Sequence, residues 1–281
     1  MSKPLPVALV QTPQYAVDQP LDGFASDAKA VLADHPDTRL LVYPELHLCS
    51  PQRREIAAEP LDGPRSRKLG EIARDLGVWF IPGSVAELGD DGKMYNTALV
   101  FSPDGELVTS YRKVFTWKPH EPYEAGDRFV VFDIPDTGRI GLAICYDAWF
   151  PESARHLAWL GADLIINPVL THTPDRKQEV VLAQANAIVN QVFVASINSA
   201  APFGRGRSII VGPEGQILAE TPDDRPAVIA LTLDLDEVRR VRERGTEGLN
   251  RMWNQFTDGD APLDVPLYQG RIDAGNWQPR S

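Results

Sequence analysis

The chain has 281 residues, of which 43% are hydrophobic and 24% charged, a composition typical of a globular protein with a full apolar core. The formal net charge of −11 excludes a strongly basic surface. Nucleic acid and anionic membranes are therefore not expected partners, since both bind clustered Lys and Arg. A small molecule is the expected partner.

The N-terminus carries no apolar segment long enough for a signal peptide, because the first apolar run ends at Gln11 after four residues. No eighteen-residue apolar stretch follows, so we expect a cytoplasmic protein without a membrane span. Cys49 and Cys145 are then expected to be free thiols. No linker divides the chain, so residues 1–257 are predicted to form one domain and residues 258–281 a tail at a subunit interface.

Apolar periodicity in the first half of the chain predicts alternating strands and helices. The predicted elements are strand 6–11, helix 21–35, strand 39–45, helix 64–76 and strand 78–85. Turn residues at 89–92 and 103–105 then frame an antiparallel hairpin of residues 96–101 and 106–114. This half therefore contains two βα units followed by a hairpin.

The second half repeats that pattern. Its predicted elements are strand 128–134, a strand that reaches Cys145, helix 151–160, strand 162–167, helix 175–190, strand 192–198, a hairpin of 208–211 and 216–220, strand 227–233 and helix 235–244. Two βα regions, each followed by a hairpin, predict two mixed sheets that face one another with helices outside both. The expected fold class is α/β, a four-layer α-β-β-α sandwich.

Cys145 follows the apolar run Gly141–Ile144 and precedes a helix start at Pro151 and Glu152. The C-terminal ends of strands are where α/β sheets bind ligands, and a helix N-terminus favours a thiolate. A free cysteine is also a common core residue, so a catalytic interpretation needs partners elsewhere in the chain.

Glu45 and Lys113 close two other apolar strands and are the candidate partners. A histidine would be the usual base, but none of the five occupies a suitable strand end, and no Gly-x-Cys-x-Gly elbow surrounds Cys145. Alone, Glu45 would be a loop cap and Lys113 a solvated charge. A carboxylate, an ammonium and a thiol buried together would compensate one another's charge and form a hydrolytic set.

Three blocks of the sequence together resemble the nitrilase superfamily, the carbon–nitrogen hydrolases. They are Tyr43-Pro44-Glu45, Tyr111-Arg112-Lys113, and Cys145-Tyr146-Asp147 with Trp149-Phe150-Pro151-Glu152. The resemblance covers residues 5–257. It implies the four-layer sandwich, a homodimer or larger homo-oligomer, no cofactor, and a catalytic triad of Glu45, Lys113 and Cys145.

Residues 112–121 also resemble the aliphatic amidase branch, in which a second glutamate lies eight positions after the lysine. That position is Glu121, with Glu124 as the alternative in the same loop. The resemblance implies hydrolysis of a small linear amide through a thioester. Glu45 would be the base, Lys113 and the backbone N–H of Tyr146 would face the oxyanion, and Glu121 would hold Lys113 or the substrate nitrogen.

The candidate substrate-binding residues carry a weaker signal. Trp117, Tyr146 and Trp149 could wall a small pocket or belong to the core, and Asn167 could present its amide to a ligand or cap a loop. Arg176, in the first turn of a helix, is expected to be solvated rather than to clamp a substrate carboxylate. The absence of a decisive clamp favours a small neutral amide.

Several other functions remain open on the sequence alone. Nitrile, N-carbamoyl and ω-amide hydrolysis would share the triad, and the tract 149–152 also resembles carbamoylputrescine hydrolases. An isochorismatase-like fold uses an acid, a lysine and a cysteine too, but the extra hairpins count against it. A catalytically silent binding scaffold is the non-enzyme alternative. No cluster of His, Cys and acid at ligand spacing predicts a metal site.

Overall fold

The computed structural model describes residues 2–49, 57–265 and 270–272. Its helices are α1 (Leu21–Asp34), α2 (Pro64–Leu76), α3 (Pro151–Trp159), α4 (Arg176–Asn190) and α5 (Asp236–Arg244). Its strands are β1 (Leu5–Gln11), β2 (Leu40–Val42), β3 (Trp79–Ile81), β4 (Ser84–Leu88), β5 (Met94–Phe101), β6 (Leu107–Arg112), β7 (Val130–Ile134), β8 (Gly138–Leu142), β9 (Leu164–Val169), β10 (Phe193–Asn198), β11 (Ile209–Val211), β12 (Ile217–Glu220) and β13 (Ala227–Leu233).

These strands form two mixed sheets. The first has the order β13-β1-β2-β3-β5-β4, with β6 paired to β5, and the second has the order β12-β11-β10-β9-β8-β7. The central strands are parallel, β1 with β2 and β3 in the first sheet and β8 with β9 and β10 in the second. Glu45 and Cys145 follow the carboxyl ends of two of these strands, β2 and β8, and Lys113 follows β6.

Apolar clusters separate four layers. One cluster lies between the sheets and joins Leu9 of the first sheet to Ile166 of the second. A second cluster, which includes Phe24, packs α1 and α2 on the outer face of the first sheet, and a third, which includes Val180, packs α3 and α4 on the second. The α-β-β-α sandwich expected from the sequence is confirmed.

Strand boundaries differ from the sequence prediction at four functionally important places. The predicted strand 39–45 ends at Val42, so Glu45 lies in the turn that follows. The predicted strand 78–85 breaks at Gly83, whose φ of +90° turns the chain between β3 and β4. The strand that leads to Cys145 ends three residues earlier, at Leu142. β9 continues to Val169, so Asn167 lies inside a strand instead of ending one.

No helix within the described ranges has the length and apolar character needed to span a membrane. Cys49 and Cys145 are both free thiols, as predicted. Within the predicted tail, residues 258–265 and 270–272 are described, and the others lie outside the described residues. The division at residue 257 and a tail at a subunit interface stay predictions.

Candidate active site

The predicted acid, amine and thiol meet in one cavity of about 290 Å³ that opens to solvent. Both sheets contribute to its wall. The described residues that line it are Glu45, Leu46, Lys113, Trp117, His120, Glu121, Cys145, Leu170 and His172. The cavity therefore lies where the carboxyl ends of the parallel strands of the two sheets approach each other.

Glu45 lies in a turn that follows β2, and Gly83 makes this turn possible. A Cβ atom at Gly83 would lie 1.8 Å from the carbonyl oxygen of Pro44, so no larger residue fits there without moving the turn. The amide of Leu46, which has a φ of +48°, donates to Ser84 Oγ at 2.9 Å. The break between β3 and β4 thus supports the turn that carries the carboxylate.

The Glu45 carboxylate is buried and accepts three hydrogen bonds. Oε1 accepts from Asn96 Nδ2 at 2.7 Å and from Lys113 Nζ at 3.1 Å, and Oε2 accepts from the amide of Leu170 at 2.8 Å. These donors fix the orientation of the carboxylate and stabilise its negative charge inside the protein.

Lys113 follows β6 and is 1% exposed, with its ammonium between two carboxylates. Nζ lies 3.1 Å from Glu45 Oε1 and 2.5 Å from Glu121 Oε1. Burial disfavours the charged amine, but the negative charges of Glu45 and Glu121 outweigh it and raise the pKa of Lys113 well above its ordinary value. Lys113 is thus a cation at neutral pH.

The structure distinguishes the two candidate accessory acids. Glu121 Oε1 accepts the Lys113 ammonium and, at 2.8 Å, the amide of Trp117, and its side chain is buried. Glu124 is exposed, and its amide donates to the carbonyl of Met94 at 2.8 Å. Glu121 is therefore the acid that belongs to the cavity.

Cys145 begins a 3-10 turn, Cys145–Trp149, and has a φ of +47°. This left-handed conformation is unusual for a residue with a side chain and marks a strained turn. The turn at Cys145 forms although no Gly-x-Cys-x-Gly motif surrounds this residue. The thiol is thereby directed from the turn into the cavity.

Asp147 holds the turn in place. Its Oδ2 accepts from the amide of Ile144 and from the hydroxyl of Tyr111, and its Oδ1 accepts from the amide of Phe115, each at 2.8 Å. Burial raises the pKa of Asp147 to about 6, although these donors oppose the rise. One buried carboxylate thus ties the Cys145 turn to the loop that follows Lys113.

The Cys145 thiol is neutral in the resting site. Burial, aided by the charge of Glu45, raises the pKa of the thiol well above its ordinary value, while Lys113 opposes this. A nucleophilic attack by this sulfur therefore needs a base that accepts the proton, and Glu45 is the carboxylate whose charge acts most strongly on the thiol.

Of the three predicted pocket aromatics, Trp117 lines the cavity and packs against His120, with ring centroids 4.4 Å apart. Tyr146 and Trp149 are not among the lining residues, and their rings contact one another at 6.1 Å. The indole N–H of Trp149 donates to Glu179 at 3.4 Å. Neither Tyr146 nor Trp149 walls this cavity with its side chain.

Asn167 and Arg176 are placed differently from the sequence expectation. Asn167 does not face the cavity, because its position within β9 directs it into a small cavity shared with Glu179 and Asn186 beside α3 and α4. Arg176 is 2% exposed, not solvated, and its Nη1 lies 3.0 Å from Glu179 Oε2. Arg176 also donates to main-chain carbonyls, so it is unavailable as a carboxylate clamp.

Sequence reasoning missed several residues of the site. Asn96 gave the one available signal, an amide side chain at the start of a predicted strand. The amide of Leu170 and the imidazoles of His120 and His172 reach the cavity only through the loops that follow β6 and β9. Within the described ranges, no group of three or more His, Cys, Asp or Glu side chains could hold a metal ion.

Comparisons with known proteins identify the family of the chain. Residues 6–243 match the family model described as Carbon-nitrogen hydrolase. Omega-amidase NIT2 of Homo sapiens is 34% identical over 205 residues, which cover 66% of this chain and 72% of that protein. A formamidase of Pseudomonas syringae pv. tomato is 31% identical over 235 residues, which cover 81% of this chain and 68% of that protein.

A solved structure extends the similarity to the fold. The Nesterenkonia AN1 amidase, described as a member of the nitrilase superfamily, is 26% identical with a TM-score of 0.72, covering 85% of this chain and 94% of that one. A further structure of that amidase shows covalent addition of the acetamide moiety of fluoroacetamide at its active-site cysteine. The resemblance seen in the sequence is thus confirmed, and the chain belongs to the carbon–nitrogen hydrolase family.

Proposed function

We propose that the protein is a cysteine-dependent amidase that hydrolyses small, uncharged linear amides to a carboxylic acid and ammonia. The observation that carries the proposal is the burial of Lys113 between Glu45 and Glu121 in the cavity that also holds the Cys145 thiol. A buried ion set of this kind is costly to maintain for stability alone, which supports a catalytic role.

In the first step, Cys145 Sγ attacks the amide carbonyl carbon. The S–C bond forms as the carbonyl π bond opens, and the thiol proton passes to Glu45. A base is required because burial keeps the resting thiol protonated. Glu45 is suited to this role since three donors hold its carboxylate in one orientation.

Negative charge then develops on the former carbonyl oxygen. Lys113 is the cation closest to this reaction, and the backbone N–H of Tyr146 is the second proposed donor. Glu121 and Glu45 both hold the ammonium, so Lys113 does not need to reorganise as the oxyanion forms.

Collapse of the tetrahedral intermediate breaks the C–N bond, and the proton on Glu45 passes to the leaving nitrogen. Ammonia departs and leaves a thioester on Cys145. Water then attacks the thioester while Glu45 accepts one of its protons. Collapse breaks the C–S bond, the proton returns to sulfur, and the acid is released.

The cavity supports a short, uncharged substrate. A volume of about 290 Å³ lies near the lower end of ligand pockets and suits a small molecule. Among the described lining residues, the one permanent cation is Lys113, and its ammonium is engaged by two carboxylates. A substrate with a distal carboxylate would find no free guanidinium or ammonium in that lining.

An ω-amide is the second candidate substrate, favoured by the 34% identity to Omega-amidase NIT2. The imidazoles of His120 and His172 line the cavity and are the described groups that a distal carboxylate could approach. N-carbamoyl compounds and nitriles are weaker alternatives that the same triad could attack.

A substrate panel tests the proposal. Purified protein is incubated with formamide, acetamide, butyramide, a dicarboxylic acid monoamide, an N-carbamoyl amine and a nitrile, and ammonia and carbon dioxide are measured. We expect ammonia without carbon dioxide from the short neutral amides at the highest kcat/KM. A higher kcat/KM for the monoamide would instead establish the ω-amide candidate.

Matched cysteine variants assign the nucleophile. Cys145→Ala should lose turnover while its far-UV circular dichroism stays unchanged, whereas Cys49→Ala should retain most of the activity because Cys49 lies outside the described cavity lining. Wild-type turnover by Cys145→Ala, or no turnover of any panel member by the wild type, would contradict the proposal. The latter result would favour the silent scaffold.

The proposal extends to the oligomeric state and the cellular compartment of the protein. We infer a homodimer or larger homo-oligomer in the cytoplasm, on the resemblance to the family. Size-exclusion chromatography with light scattering tests the assembly, and a monomeric mass at working concentration would contradict it.

A further inference from the structure

Thr171 contacts the Cys145 thiol and has no role in the mechanism described above. Cys145 Sγ lies 3.9 Å from Thr171 Oγ1, within hydrogen-bonding range for sulfur. Among the described residues, Thr171 is the side-chain hydrogen-bond partner of the Cys145 thiol. The thiol makes no hydrogen bond to Glu45. The resting sulfur is thus hydrogen-bonded to a hydroxyl and not to its proposed base.

The direction of this hydrogen bond follows from the other partner of Thr171. Its hydroxyl donates to Glu179 Oε1 at 2.9 Å. A threonine hydroxyl has a single proton, so once that proton is engaged the oxygen offers only lone pairs to its other neighbours. The thiol must therefore be the donor in the Sγ–H···Oγ1 contact.

The surrounding structure holds Thr171 and Glu179 rigidly. Glu179 Oε2 accepts from Arg176 Nη1 at 3.0 Å, and the carboxylate is buried. The amide of Thr171 donates to Asn198 Oδ1 at 2.9 Å, and Asn198 Nδ2 donates back to the carbonyl of Thr171 at 3.1 Å. The hydroxyl has little freedom to turn its proton toward sulfur.

We propose that Thr171 is a positioning residue that holds the resting Cys145 thiol protonated and turned away from Glu45 until an amide occupies the cavity. This inference rests on the proposed function, because it assumes that Cys145 is the nucleophile. The charged groups that act on the thiol are Glu45, Lys113, Glu179 and Glu121, and the cavity also contains His120 and His172.

As a consequence, the Cys145 thiol reacts with a bound amide and reacts slowly with other electrophiles. When an amide carbonyl enters, Sγ leaves Thr171, its proton passes to Glu45 and the S–C bond forms. Without an amide, the S–H bond stays intact and hydrogen-bonded, and only the thiolate reacts rapidly with alkylating or thiolating agents.

Modification by methyl methanethiosulfonate, a small reagent that is not an amide, tests this inference. Methylthiolation of Cys145 is followed by peptide mass spectrometry at about pH 7.5. Thr171→Val keeps the side-chain shape without the hydroxyl and should react faster than wild type. The upper bound is about fivefold, the factor for a lost hydrogen bond of about 1 kcal/mol, because a thiol is a weak donor. Thr171→Ser keeps the hydroxyl and should react within about twofold of wild type.

Thr173→Val is the matched control. Its hydroxyl lies in the same loop and bonds to Asp175, not to Cys145, so the modification rate should not change. A rate for Thr171→Val equal to or below that of wild type, or a Thr171→Ser rate as high as that of Thr171→Val, would overturn the inference.

A measurement on folded protein without any change at Thr171 covers the case in which the valine variant does not fold. In Cys49→Ala protein, the S–H Raman band arises from Cys145 alone. The inference requires this band at the lower frequency of a hydrogen-bonded thiol, and a frequency typical of a free thiol would overturn it. Neither readout needs turnover, so a failure of the amidase proposal appears separately, in the substrate panel.

Discussion

The amide of Leu170 donates to Glu45 Oε2 at 2.8 Å, across 125 positions of the chain. Glu45 follows a strand of the first sheet and Leu170 follows β9 of the second, so this bond joins the two halves of the sandwich at the cavity. The next residue, Thr171, contacts the Cys145 thiol. Two adjacent residues thus contact the proposed base and the proposed nucleophile, and the geometry of the site depends on how the sheets face each other.

Lys113→Met should destabilise the protein strongly, because it leaves Glu45 and Glu121 buried without their cation. Removing one partner of a buried ion set costs about 3–5 kcal/mol. We expect the loss to be larger at about pH 8 than at about pH 5, since proton uptake relieves the repulsion between the two carboxylates. Urea unfolding at both pH values measures the difference. Amide turnover should be undetectable at either.

Wild-type Lys113 does not titrate in that range. Its pKa is raised in the folded protein, so its contribution to stability is fully present below the pKa of the unfolded chain and is lost only as pH rises through the folded value. Lys29→Met is the control, because Lys29 forms an exposed pair with Asp75 and should contribute less than about 1 kcal/mol. A loss for Lys113→Met that is independent of pH would contradict this account of the site.

Gly83→Ala should displace the turn that carries Glu45. The added Cβ would lie 1.8 Å from the Pro44 carbonyl oxygen at a φ of +90°, so we expect a loss of about 3 kcal/mol in unfolding free energy and a reduced kcat. Gly92→Ala is the matched control, since Gly92 has a φ of +76° with open space around the position of a Cβ. It should cost about 1 kcal/mol and leave kcat unchanged. Equal losses for the two variants would show that contact with Pro44 is unimportant.

Much of the fold was predictable because apolar periodicity reports which faces are buried. The strand and helix order and the two mixed sheets follow from that pattern. Glu45, Lys113 and Cys145 were predicted to end strands, and they lie in the turns and loops just after β2, β6 and β8. The break at Gly83 was missed, although Pro82-Gly83 is a local turn signal. The close approach of the Pro44 carbonyl to Gly83 joins residues that are distant in sequence. A local pattern contains no information about such a contact.

The site was predictable only in part, for the same reason. Glu121 and Glu124 both lie in one loop, and only the folded loop places Glu121 against Lys113. Arg176 looked like an ordinary surface residue of a helix start, yet its partner Glu179 and distant carbonyls bury it. Where a side chain is satisfied by groups far away in the chain, its exposure cannot be inferred from its neighbours.

Tyr111→Phe should weaken the support of the Cys145 turn. The Tyr111 hydroxyl donates to buried Asp147 at 2.8 Å, and losing a hydrogen bond to a charged group costs about 1.5–3 kcal/mol. Because Asp147 also fixes Ile144, next to the nucleophile, kcat should fall while the fold persists. Tyr95→Phe is the control, since its hydroxyl bonds to Asp91 near the surface and should cost less than about 1 kcal/mol.

The effect of Tyr111→Phe should depend on pH with a defined sign. Burial raises the pKa of Asp147 to about 6, so the carboxyl is mostly neutral at about pH 5 and charged at about pH 7.5. The phenol stabilises mainly the charged form, and its loss raises this pKa further. The destabilisation should therefore be larger at about pH 7.5 than at about pH 5, by urea unfolding at both pH values. A larger loss at about pH 5 would mean that Asp147 is not the group through which Tyr111 supports the turn.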